Sequence, residues 1–169
     1  MNSFLNKLKR ADSGSELVLN WVCVITEVWT CAVIVIGAAA RYIFKTDLFG
    51  AEELILFAAF WLYFIGSALG TKEDSQISAD MTSLFIKNKK VLAAIRVVKF
   101  VISFLITSVG VVWAYNYVVR QIEMNAVSNS FKAPLAIQQA SILACFILSA
   151  IYLLVHIVKS VKAFKEVSA

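Results

Sequence analysis

Four stretches of the chain are almost continuously apolar, and charged residues gather in the segments between them. They run roughly over residues 17–40, 52–70, 97–118 and 134–158. Each is close to or above the about 20 helical residues needed to cross a hydrocarbon core of roughly 30 Å. No water is available there, so the backbone must satisfy its own hydrogen bonds, and a helix does this within a single segment. A membrane barrel would instead alternate apolar and polar residues in segments of about ten. The pattern therefore predicts an all-α integral membrane protein with four transmembrane helices, forming a single membrane domain over residues 1–169.

The connections add detail. Ser13 followed by Glu16 fits a capping box at the start of the first helix. Ala38-Ala39-Ala40 resembles a signal-peptidase site, but the apolar run before it is too long for a signal-peptide core, so an uncleaved anchor is expected. Pro134 suits the first turn of the fourth helix, where a missing N–H costs nothing. Between the second and third spans, Ile77, Met81, Leu84 and Phe85 recur at helical spacing and lysines follow them. This predicts an interfacial amphipathic helix at about 76–88, lying in the headgroup region rather than crossing it. The plainer reading is a connector whose apolar residues pack on the bundle. Gly66, Ser67, Ala68 and Gly70 permit close helix approach in the latter half of the second span. Trp113, Tyr115 and Tyr117 fit an aromatic belt, whereas Trp61 and Tyr63 lie too deep for one.

Composition narrows the class. Hydrophobic residues make up 60% of the chain, more than a soluble domain of 169 residues could cover. The net charge of +5 comes from Lys and Arg flanking the apolar runs, and so does not point to nucleic acid. Twelve of these residues lie in the N-terminal segment, the 71–99 segment and the C-terminal tail, against four in the other two connections. Positive residues stay on the cytoplasmic side, so both termini and the middle connection are expected on that side of the membrane. Cys23, Cys31 and Cys145 lack metal-site spacing and read as buried free thiols. A single histidine, His156, rules out haem ligation by a histidine pair within one chain. No nucleophile–base pair, catalytic carboxylate pair or phosphate loop is present, so neither enzymatic activity nor a cofactor is expected.

Three carboxylates stand out. Glu27 lies within the first span, where an ionisable residue needs a partner and raises a functional question. It reads either as a structural ion pair or as the cation-binding carboxylate of a small four-helix multidrug antiporter. Lys99, near the start of the third span, is the candidate partner, with Arg96 close by; a protein partner is the other option. Glu52 and Glu53 open the second span, where the positive end of the helix dipole favours them. Arg41, at the end of the first span, is their candidate partner. The marked charge bias fits a fixed orientation better than the weak bias of such antiporters.

The order Arg41-Tyr42-Ile43-Phe44, Gly50-x-Glu52-Glu53-Leu54, Phe60-Trp61-Leu62, Gly66-Ser67-Ala68 and Ile77-x-x-Asp80 resembles the small membrane (Q) subunit of tripartite ATP-independent periplasmic (TRAP) transporters. Asp74-Ser75-Gln76 replaces the family's usual basic residue and histidine before the last element. The resemblance implies a non-transporting scaffold subunit without a substrate, metal or cofactor site. Its partners would be a large multi-span, sodium-coupled elevator subunit, a periplasmic substrate-binding protein and the lipid bilayer. The transported solute would be an organic acid, with the sialic-acid systems the nearest members. Arg41, Glu52, Glu53, Trp61, Gly66 and Asp80 are the candidate scaffold or partner contacts.

Overall fold

The computed structural model describes residues 2–46, 50–74 and 89–168, with side chains described over 16–46, 50–74 and 90–165. The predicted interfacial helix, with Ile77, Asp80, Met81, Leu84 and Phe85, lies outside them. Four continuous helices result: α1 (Asn2–Ile43), α2 (Ala51–Glu73), α3 (Lys89–Glu123) and α4 (Leu135–Ser168). All four are long and apolar enough to cross a membrane. α2 has 23 residues, about 34 Å at 1.5 Å of rise per residue. α3 has 35 and α4 has 34, which is about 50 Å each. These two extend beyond their apolar runs because nothing in their charged flanks breaks a helix.

Local chemistry sets the ends. Gly50 takes a left-handed conformation (φ 82°) before α2, and its carbonyl accepts the first helical N–H groups, from Glu53 at 3.0 Å and Leu54 at 3.3 Å. Asp74 ends α2 with φ 51° and gives its amide to the carbonyls of Gly70 and Thr71. Short polar side chains tolerate this region better than most. Asn125 (φ 47°) follows α3 in the same way. Within the helices, hydroxyls bond back to their own turn: Thr26 to Val22 at 2.8 Å, Thr30 to Thr26 at 2.7 Å, and Ser108 to Phe104 at 2.8 Å. An apolar segment can thus carry Thr and Ser without leaving a donor bare.

The helices pack in spatial order α1–α2–α4–α3, a row of neighbours rather than a closed bundle. α2 and α4 occupy its middle. Their buried residues are Ala58, Ile65 and Ala68 on α2 and, on α4, small residues that include Ser141, Cys145 and Ser149. Ala68 and Ser141 are fully buried, and spacings of three, four and seven keep each set on one helix face. The close approach expected in the latter half of α2 therefore centres on Ala68, while Gly66 faces open space.

α3 joins the row through a different device. The Phe146 ring of α4 rests on Gly110 of α3, where an added Cβ would stand 2.5 Å from a ring carbon. Replacing Gly110 by Leu should push the helices apart at a cost of about 1–3 kcal/mol, the usual range for overpacking. The measurement is the midpoint of thermal unfolding in mild detergent. A midpoint equal to that of the parent chain would mean that Phe146 simply rotates away.

Candidate functional site

α2 is held at both ends by side chains from elsewhere in the chain, and these two clusters contain most of the described polar contacts between helices. The last carbonyls of a helix have no intrahelical donor. Here His156 of α4 supplies one, its Nε2 lying 3.1 Å from the Thr71 carbonyl and 3.0 Å from that of Lys72. Both partners only accept, so Nε2 carries the proton. The imidazole stacks on Phe100 of α3, with centroids 5.1 Å apart and planes 12° from parallel. Phe100 is 3% exposed, which fixes the ring it supports.

Two ion pairs complete this end. Lys72 is nearly buried, its side chain 9% exposed, and its ammonium lies 3.0 Å from Glu16 of α1. The same ammonium sits 5.9 Å from the ring centre of Tyr152 on α4. Asp74 accepts from Lys99 of α3 at 3.0 Å, and Lys99 also lies 5.1 Å from the Phe100 ring centre. All four helices therefore meet at the end of α2. The chemistry is structural: opposite charges and a ring N–H neutralise a helix terminus and tie its neighbours to it.

At the other end, the carboxylate of Glu53 accepts the backbone N–H groups of Ser130 at 2.7 Å and Phe131 at 3.2 Å. The hydroxyls of Ser128 and Ser130 bond to it as well. The α3–α4 connection is a folded unit. Ser128 donates to the Ala133 carbonyl at 2.8 Å, Leu135 donates to Ala126 at 3.0 Å, and Val127 bridges to Pro134. The Phe131 ring lies over Gly50, where an added Cβ would stand 2.6 Å from it. Glu52 is turned about 100° from Glu53 around the helix and is exposed.

The sequence paired some of these residues differently. Glu27 and Lys99 are not brought together. α1 and α3 stand at opposite ends of the row, and Lys99 is taken by Asp74 on α2. Glu27 lies on an exposed face of α1. Arg41 occupies the last turn of α1, while the described hydrogen bonds of Glu53 run to the α3–α4 connection. Trp61 is half-buried and lines an apolar groove of about 390 Å³ between α1 and α2, with Trp29, Phe57 and Phe131. Cys145 is buried, Cys23 half-buried and Cys31 exposed. Among the described residues no group of three His, Cys, Asp or Glu could hold a metal ion. Sequence reasoning missed His156, Lys72, Asp74 and Phe100 as a cluster. The available signal was a lone histidine in the last apolar run and a charged turn closing the second.

Replacing His156 by Ala should cost about 1–3 kcal/mol, from one hydrogen bond and one stacked ring pair. This would appear as a lower unfolding midpoint in mild detergent, and an unchanged midpoint would assign the terminus to Lys72 and Asp74 alone. Gly50→Ala should cost about 1–2 kcal/mol from the left-handed backbone alone, before any displacement of Phe131. Glu53→Gln should speed amide hydrogen exchange at Ser130 and Phe131 while leaving the middle of α4 protected. Equal exchange across these positions would show that the connection holds itself.

The chain matches the family model described as tripartite ATP-independent periplasmic transporters, DctQ component, over residues 30–163. No curated protein matches it. The matched region contains Gly50, Glu53, the α2 terminus, His156 and the α3–α4 connection, but not Glu16 or Glu27. The family is one of transporter components and not of enzymes. Covering most of the sequence, the match shows that this membrane protein belongs to the DctQ family of small TRAP transporter components.

Proposed function

We propose that the chain is the fixed scaffold subunit of a TRAP secondary transporter in a bacterial inner membrane, folded as one membrane domain and binding no substrate itself. The observation that carries this reading is where its polar groups are spent. Buried and part-buried charges tie helix ends together, and the open row leaves broad apolar faces on either side. Exposed apolar residues on α1 and α3, such as Ile25, Val28, Leu105 and Trp113, offer surface to lipid or to another membrane protein. Such a surface suits a part that packs against a moving one.

The partners are a large multi-span subunit that carries the sodium and substrate sites and a periplasmic protein that delivers the solute. That solute is an organic acid such as sialic acid. The twelve-to-four distribution of Lys and Arg supports an orientation with the α2 C-terminal cluster at the cytoplasmic face. The Glu53-anchored connection and the exposed Glu52 then form the periplasmic rim, open to the docking protein. The helical spacing of Ile77, Met81, Leu84 and Phe85 supports a cytoplasmic interfacial role for the 76–88 segment, one that would resist tilting of the scaffold. An antiporter built on Glu27 would need that carboxylate in a shared polar cavity, and it stands instead on the outer side of the end helix.

The test is purification of the tagged chain from its native membrane in mild detergent, followed by reconstitution with the binding protein. A stoichiometric large subunit should accompany it, and sodium-driven uptake of sialic acid should require both. In the same assay, Met81, Leu84 and Phe85 changed together to Ser should lower uptake or assembly. A chain that purifies alone and exchanges lipophilic cations for protons would overturn the scaffold reading.

A further inference from the structure

Glu27 lies eleven residues after Glu16 and fourteen before Arg41, about 16 Å and 21 Å along the axis of α1. That places it near the middle of a hydrocarbon core of roughly 30 Å. It is exposed, and among the described residues it has neither a hydrogen bond nor an ion pair. The hydroxyls beside it, Thr26 and Thr30, are committed to carbonyls of their own helix. A carboxylate left this way in lipid is costly, and such residues pair with a complementary group. Lipid tails supply none.

The rest of the face fits a helix partner. At about 100° per residue, Asn20, Val24, Cys31, Ile34 and Ala38 share the side of α1 that carries Glu27, and all of them are exposed. Leu19 and Val33 pack the helix on α2 from a different side. Small residues such as Cys31 and Ala38 let a second backbone come close. The face combines close-approach positions on the C-terminal side of Glu27 with one unmet acceptor near its centre.

We propose that this face of α1 is a docking surface for a transmembrane helix of the large subunit, which sets a Lys, Arg or other hydrogen-bond-donating side chain opposite Glu27. The inference rests on the scaffold reading above and adds to it the surface and the chemistry of the contact. Glu27 precedes the family-matched region, whereas Cys31, Ile34 and Ala38 of the same face lie within it.

A photo-crosslinking amino acid is placed at Val24 or Ile34, on the proposed face, and at Val18 or Ile36, about half a turn away around the helix and also exposed. The complete transporter is irradiated in its native membrane. Val24 and Ile34 should give adducts to the large subunit, mapping to one helix with a donor side chain at matching depth, and Val18 and Ile36 should not. Glu27→Lys should lower the large subunit recovered with the tagged chain by about tenfold or more. Glu27→Gln, which keeps an acceptor, should lower it less, and changing the mapped cation to Glu should rescue Glu27→Lys. Adducts from Val18 and Ile36 alone, or full recovery with Glu27→Lys, in a complex that assembles and transports would remove this surface and leave the scaffold reading intact. A wild-type chain that recovers no large subunit would remove both.

Discussion

The carbonyls at the end of a helix have no donor of their own, and at the C-terminus of α2 that deficit falls where four helices converge. His156 meets it from α4, Asp74 closes the last turn, and Lys72 and Asp74 reach Glu16 and Lys99 on α1 and α3. Exposed ion pairs contribute little singly. Here one cation is nearly buried and a stacked, buried ring backs the histidine, so the groups hold a single geometry together. Packing of small residues along α2 and α4 then has a fixed starting point.

The Glu53 end complements this. A carboxylate in the first turn of a helix is favoured by the dipole, and here it also accepts two backbone amides from a distant connection. That connection joins α3 to α4, so α2 is clasped at one end by the loop and at the other by the helices themselves. A central helix fixed twice leaves its neighbours free to present their outer sides. This is the property expected of a frame against which another membrane domain moves.

The adjacent glutamates show how one residue step separates two roles. Glu53 turns inward onto Ser130 and Phe131, while Glu52 faces outward. Gly50 sits where the Phe131 ring needs the space of a side chain and the backbone needs a positive φ. One glycine meets both demands because it has no Cβ.

The sequence by itself determined the class. Four apolar runs of bilayer length leave helices as the economical solution, and the motif order over residues 41–80 was sufficient for the family. The start of α2 after Gly50, its end before Asp74 and the start of α4 after Pro134 were legible to within a turn, whereas α3 runs to Glu123, past the expected end near 118, and α1 begins at Asn2, ahead of the expected Ser13 cap. The order of the helices in space was not legible. Hydrophobic runs carry no record of which neighbour each one meets, because lipid and protein interior are equally apolar. Only the tertiary structure decided that α1 and α3 stand apart, so that Lys99 meets Asp74 and not Glu27. It also decided that the lone histidine closes a helix 84 and 85 residues away in sequence. Such contacts depend on distance in space, and a one-dimensional pattern fixes distance only within a single helix.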